Sequence, residues 1–403
     1  MSDLLDRLPR FATGEPGSYR PGFDRIHALL DLFSRPDHTF EVVLVGGTNG
    51  KGSTAAVLSA LLTASGRTVG LHTSPHLLDI TERMRVDGRA APRAWLDAAL
   101  DRFESDILEI GPSFYEATLA LSLLYFTDQD VDTAVVEIGL GGRLDAANAL
   151  DPNVSVITTV GLDHTDILGD SIEKIAVEKA GILRPGVPLV LGRLPEPARD
   201  VILERAAESG APVRSISDVD EIPPTIGLPG RHQVDNARTA LAAYEALTGY
   251  APDSDVAERA LADVVALSGI RGRMERIALG PGAWVDVAHN VDALEAALHT
   301  YLRLTPDADR RVVVFGVLRD KDLKGMAALL VRAGVHAVAS GIPGLRARPV
   351  NETADALRAA GVPVLEAVAN PVQALRRARM ADAPVLVTGS HYLVADILRD
   401  TGT

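Results

Sequence analysis

The chain contains no cysteine in 403 residues. Disulfides, a thiol nucleophile and cysteine-ligated zinc or iron–sulfur sites are therefore excluded. Aromatic residues are scarce at 4%, while apolar residues at 47% are ordinary for a globular protein. No low-complexity tract interrupts the chain, no apolar run is long enough to span a bilayer, and no signal-peptide pattern opens it. A reducing cytoplasm with no membrane partner is the expected setting. Positive charge is also in short supply. The 40 Lys and Arg face 54 Asp and Glu, giving a formal charge of −14. A nucleic-acid surface would be basic, so no nucleic-acid partner is expected. Any anionic substrate must be drawn by local cations and Mg²⁺ rather than by the global field.

What is present is alternation of apolar strands and amphipathic helices, over a length sufficient for two domains. Short Val- and Ile-rich runs predict buried strands at 41–46, 68–71, 133–138, 154–160 and 187–191. Helical spacing predicts helices over 22–33, 53–65, 93–110, 115–126, 171–183, 233–247 and 253–267. The Pro- and Gly-rich stretch 221–230 reads as a loop. A second alternation follows, with strands at 283–287, 311–315, 336–339, 362–365 and 384–388 separated by helices. That is a complete small parallel α/β unit. The boundary is placed between residues 1–268 and 269–403, where a helix ends in Ser-Gly.

The most informative segment is Val42 to Thr54, VVLVGGTNGKGST. A strand runs into a glycine-rich loop with one lysine, two hydroxyls and a following helix. Glycines let backbone N–H groups approach an anion, and the helix N-terminus adds partial positive charge. Lys51 can reach outer phosphates, and Ser53 or Thr54 can ligate Mg²⁺. The usual phosphate-loop pattern is not met, because Val45 takes the place of its first glycine and Gly52 separates Lys51 from Ser53. The plainer alternative is a tight turn with a solvated lysine.

Other polar clusters fall at strand ends, the usual ligand edge of an open α/β sheet. Glu137 ends one strand and suits Mg²⁺, a hard cation that takes oxygen donors; it could equally close the strand in an ion pair. Asp163, His164 and Asp166 follow the next strand, where a lone histidine would be structural. LHTSPHL (71–77) can be a capped turn, and LPGRHQVDN (228–236) a loop and helix cap. Arg273, Asp286 with His289, and Ser390 sit near the boundary or at strand ends of the second unit.

Taken in order, these segments resemble the Mur ligase superfamily, and within it the folylpolyglutamate synthase/dihydrofolate synthase family. The resemblance rests on GTNGKGS (47–53), LHTSPHL with TERMRV (81–86), FYEAT (114–118) and VEIGLGGRLDAAN (136–148). It continues through VITTVGLDHTDILG (156–169), IAVEKAGIL (175–183), HQVDNA (232–237), GRME (272–275), DVAHN (286–290) and TGSHYL (388–393). Three features depart from the family pattern: Ala288 where glycine is common, the IRGR context of Arg273, and the Gly17–Arg20 segment.

The resemblance implies an N-terminal P-loop ATPase-like domain with a parallel-rich sheet, plus a smaller C-terminal Rossmann-like α/β domain. It implies that Asn49, Gly50, Lys51, Gly52 and Ser53 hold ATP phosphates, with Asn236, Arg273 and Asp286 also contacting ATP. Ser53, Ser74, Glu137 and His164 would supply Mg²⁺ ligands, directly or through water. Lys179 matches a lysine that CO₂ carbamylates in relatives, creating an oxygen ligand for a second Mg²⁺. Phe114, Tyr115, Glu116, Leu144, Asp145 and Ala146 would line the pterin side, and His289 and Ser390 would lie near the incoming glutamate. Lys51, His164, Lys179, Arg273 and His289 would be the catalytic set. The implied enzyme is an ADP-forming ligase that phosphorylates the carboxylate of dihydropteroate or a reduced folate, then joins it to L-glutamate. A monomer is expected. A single-activity member, a Mur-type ligase with another carboxylate acceptor, and a nucleotide-binding module without catalysis are the alternatives.

Overall fold

Long Val- and Ile-rich runs without polar alternation belong to strands covered on both faces. The computed structural model bears this out; it describes residues 4–10, 20–219, 223, 225–278 and 282–402. Residues 17–19 of the Gly17–Arg20 segment, and residues 221, 222 and 224 of the Pro-rich loop, lie outside the described residues. The chain forms two compact units, residues 1–227 with 232–270, and residues 228–231 with 271–403.

The first unit is built on eight strands: β1 (Glu41–Gly46), β2 (Val69–His72), β3 (Met84–Val86), β4 (Arg89–Ala90), β5 (Thr133–Glu137), β6 (Val154–Ile157), β7 (Leu189–Leu191) and β8 (Val213–Ser215). Their spatial order is β4-β3-β2-β5-β1-β6-β7-β8. The β2–β3 and β3–β4 pairs are antiparallel and the rest parallel. Register positions the site. Val45 lies opposite both Glu137 of β5 and Val156 of β6. The loop after β1, the carboxylate ending β5 and the segment after β6 thus emerge at one edge. Helix Lys51–Ala64 is buried nearly all round, as is Phe114–Asp128. The latter starts on a capping box in which Ser113 and Glu116 exchange side-chain-to-backbone bonds.

The second unit has six strands: β9 (Glu275–Ile277), β10 (Ala283–Val285), β11 (Val312–Phe315), β12 (His336–Ser340), β13 (Val364–Val368) and β14 (Val385–Thr388). The order is β13-β12-β11-β14-β10-β9. The expected all-parallel sheet of five strands is corrected here, because β9 pairs antiparallel with β10. Three residues are too short to give a periodic signal. Helix Glu196–Ser209 and β8 were likewise not anticipated, and the helix expected over 253–267 is two, Ser254–Ala262 and Val264–Ser268. Among the described residues no helix is long and apolar enough to cross a membrane.

Candidate active site

The loop after β1 is shaped by glycines. Gly47 and Gly50 have φ of 144° and 83°, which only glycine adopts readily. A Cβ on Gly47 would overlap Thr158 Oγ1, and one on Gly50 would overlap Asn236 Oδ1. Asn236, on helix Arg231–Thr248, is thereby packed against the loop. Threonines after β6 hold the loop's outer side. Thr158 Oγ1 donates to Asn49 O at 2.6 Å, and Asn49 N donates to Thr159 Oγ1 at 2.9 Å. Lys51 Nζ curls back to donate to Gly47 O and Thr48 O at 3.2 and 3.1 Å. A cation held by carbonyls can exchange them for phosphate oxygens. The loop, its lysine and the helix N-terminus fit an anionic phosphate chain.

Beside the loop, Glu137 is buried and accepts from Ser74 N at 3.0 Å. Ser53 is buried in the first turn of helix Lys51–Ala64. His164 adopts a left-handed backbone, φ 50°, and its N–H donates to Asp163 Oδ1 at 2.9 Å. Among the described residues no three His, Asp or Glu side chains converge as a preformed metal cage. Mg²⁺ keeps several waters and takes one or two carboxylates plus phosphate oxygens. Ser53, Ser74 and Glu137 offer oxygen donors that fit such an ion in chemistry, and His164, a nitrogen donor, would serve it through one of its waters.

Lys179, in the last turn of helix Ile172–Ala180, is only 2% exposed. Burial pushes its ammonium down from 10.5 to about 7, aided by Lys51, while Asp163 and Asp145 oppose the drop. Asp145 is pushed up to about 6 by burial, although Leu140 N and Ala147 N donate to its two oxygens at 2.8 and 3.0 Å. Tyr115 donates to Glu137 O at 2.9 Å, which ties helix Phe114–Asp128 to the end of β5. Leu144 and Ala146 flank Asp145, and Ala146 opens the turn Ala146–Ala149 that Asp145 caps.

Glu116 is placed differently from its neighbours. Its carboxylate takes Ser113 N at 2.6 Å and the Arg25 guanidinium at 3.1 Å, which occupies it structurally. Phe114 carries Arg10 and Arg83 over its ring, with Cζ 4.2 and 5.0 Å from the centroid. Buried Arg83 was not singled out from sequence as a site residue, and neither was His72. Arg83 Nε donates to His76 Nδ1 at 2.9 Å. Ser122 donates its hydroxyl to Thr118 O, so His72 Nδ1 donates to Ser122 Oγ at 2.8 Å. Burial, then Arg83, push His72 down to about 3, and its imidazole is neutral. An arginine and a histidine beside strand β2 in the motif itself were the available signal.

In the second unit, Asp286 follows β10 and is buried, accepting from Met274 N and Ala288 N, both at 2.9 Å. Burial raises its pKa, and the Arg273 guanidinium works against that rise. Arg273 Nη1 donates to Arg271 O at 3.3 Å and Gly272 O at 3.4 Å. His289 Nδ1 donates to Val287 O at 2.9 Å, and its ring lies 5.0 Å from that of His391. Ser390 is the buried N-cap of helix His391–Thr401. The pairs Arg273–Asp286 and His289–His391 are thus assembled within this unit. Lys321, in the segment after β11, is a buried lysine that was also missed from sequence. Asp320 lies 3.9 Å from its ammonium.

The Mur ligase middle domain matches residues 45–217, and the Mur ligase glutamate ligase domain matches residues 272–391. The dihydrofolate synthase/folylpolyglutamate synthase of Escherichia coli is 34% identical over 372 residues, 89% of this chain and 86% of that one. A probable bifunctional folylpolyglutamate synthase/dihydropteroate synthase of Haloferax volcanii is 34% identical over 94% of this chain. The chain spans only 48% of that relative's length. The structure of Mycobacterium tuberculosis folylpolyglutamate synthase with ADP superposes with a TM-score of 0.89 at 31% identity, covering 98% and 96% of the two chains. The Escherichia coli enzyme with DHPP and ADP gives 0.85 at 30% identity, covering 99% and 96%. A bifunctional folylpolyglutamate synthase/dihydrofolate synthase with Mn, AMPPNP and L-glutamate gives 0.82 at 30%, covering 96% and 95%. The chain belongs to the folylpolyglutamate synthase/dihydrofolate synthase family of Mur ligases, the ATP-dependent, ADP-forming ligases that add glutamate to folates.

Proposed function

We propose that this chain carries both activities of its family, adding L-glutamate to dihydropteroate and further glutamates to reduced folates. A carboxylate is a poor acyl donor, because its leaving group would be oxide. Transfer of the ATP γ-phosphoryl group to it gives an acyl phosphate, and the neutral amine of glutamate then displaces phosphate. The observation that carries this reading is the juxtaposition of Lys51 on a glycine-shaped anion loop with a buried, easily neutralised Lys179. Lys51 would leave its two carbonyl partners for the outer phosphates. Asn49 and Asn236 would fix the nucleotide beside the loop. Tyr115, Phe114 and Leu144–Ala146 would hold the acceptor, with Arg273, Asp286, His289 and Ser390 serving nucleotide and glutamate. Such positioning and charge neutralisation supply most of the catalysis in phosphoryl transfer.

Mg²⁺ would neutralise phosphate charge, held by Ser53, Ser74, Glu137 and His164, and we extend this to two ions. Lys179 would carry a carbamate, whose formation requires a neutral amine. Burial that lowers its pKa to about 7 supplies one at neutral pH. Glu178, the neighbour that could have opposed this, turns its carboxylate to Arg143 at 2.8 Å.

The test is purified chain with ATP, Mg²⁺ and labelled glutamate, with dihydropteroate and tetrahydrofolate offered separately. ADP and phosphate should form in step with amide for each acceptor. AMP and pyrophosphate would refute the acyl phosphate, and turnover with one acceptor alone would refute the dual activity. Short carboxylates should restore part of the activity lost in Lys179→Ala if the carbamate is correct.

A further inference from the structure

The loop after β5 carries Leu144–Ala146, and the C-terminal turn of helix Ile172–Ala180 carries Lys179. Nothing in the chain's local pattern requires these two segments to move together. They are nonetheless docked backbone to backbone. Arg143 N donates to Glu178 O at 2.8 Å. A Cβ on Gly142 would sit 2.7 Å from Glu178 O and 3.1 Å from Lys179 Cα, so only glycine permits this approach.

One side chain closes the contact. Asn148 is buried, and its two amide hydrogens go to the two segments separately. Nδ2 donates to Arg143 O at 3.1 Å and to Gly181 O at 3.0 Å. Its Oδ1 accepts from Arg184 Nη2 at 3.0 Å, and the same Nη2 donates to Asn148 O at 2.6 Å and Leu150 O at 3.3 Å. The amide is fully used, and flipping it would set oxygen against two carbonyls. Arg184, just beyond the helix, therefore fixes the orientation of the amide that spans loop and helix.

We infer that Asn148 and Arg184 are positioning residues, a clamp that keeps the acceptor-side loop in register with Lys179. The inference rests on the ligase reading above. Neither side chain needs to touch substrate. Their effect is on where the acceptor carboxylate stands relative to the phosphate side of the site. A misplacement of about 1 Å costs on the order of 100-fold in rate.

The experiment uses the full chain and the variants Asn148→Ala and Arg184→Lys. In Asn148→Ala, kcat/KM for the acceptor should fall about tenfold or more while KM for ATP stays within about twofold. Arg184→Lys keeps the charge but loses the fork, and should show the same split more mildly. Amide hydrogen exchange reads the clamp without activity. Exchange should quicken together in residues 139–150 and 172–183. A KM for ATP that rises in proportion to the fall in acceptor kcat/KM, or no fall in acceptor kcat/KM in either folded variant, would overturn the inference. So would faster exchange in only one of the two segments. Wild-type chain that makes no glutamate-dependent ADP would sink the ligase reading instead, and the exchange measurement would still decide the clamp.

Discussion

Replacing Lys179 by methionine should stabilise the fold while abolishing turnover. The side chain is 2% exposed, and its pKa falls from 10.5 to about 7 through burial and the repulsion of Lys51. That drop corresponds to roughly 5 kcal/mol held against the charged form. Methionine keeps the apolar stem and sheds the charge, so it should recover about 2–4 kcal/mol at neutral pH. The sign follows from proton counting. Well below the native pKa near 7, both states carry the proton and the native state bears the full cost; at that pKa half of the native lysine has already lost it. Above it the unfolded lysine stays protonated while the native one does not. Wild-type stability then rises by up to about 1.4 kcal/mol per pH unit until the unfolded pKa is reached. The variant has no such slope from this position. Urea unfolding of both proteins in CO₂-free buffer at about pH 6.5, 8 and 9.5 should show the variant's advantage shrinking as pH rises. A variant no more stable than wild type at the low end, or a gap independent of pH, would refute the reasoning. A functional site that holds such a residue gives up stability for chemistry.

Two further outcomes follow from particular contacts. Gly50→Ala forces a left-handed backbone on alanine and drives its methyl into Asn236. It should cost about 1–2 kcal/mol from the backbone alone and abolish the thermal shift that Mg²⁺–ADP gives the wild type; a wild-type shift would contradict the phosphate-loop assignment. Arg25→Ala leaves the buried Glu116 carboxylate without the guanidinium 3.1 Å away. Loss of a buried partner costs about 3–5 kcal/mol, the Ser113 N–H reduces this, and adding Glu116→Gln should restore part of it; an unchanged urea midpoint in Arg25→Ala would show that the pair is not structural.

How much of this was legible in sequence depends on the range of the physics involved. Strands such as VVLV at 42–45 and AVV at 134–136 declare themselves, because a strand buried on both faces has no polar alternation to confuse it. The placement of Glu137 beside the phosphate loop follows from register once those strands are parallel neighbours. The short strands β3, β4 and β9 were invisible, since two or three residues form no period and their pairing is set by the turns around them. Lys179 had the pattern of a helix-end cation on a solvated face. Its burial is a tertiary effect, in a region where Gly142 approaches its Cα and Arg143 pairs with Glu178, a contact some 35 positions away in sequence. Asn148 likewise stood in a recognisable motif, yet only the fold shows that its amide joins that loop to the helix. The charge conflict posed by a formal −14 is resolved in the same way. Lys51 stands on the carbonyl oxygens of Gly47 and Thr48 at the start of helix Lys51–Ala64. An acidic chain can therefore still offer an anion a local cation at a helix N-terminus, where the attraction is local rather than set by the net charge.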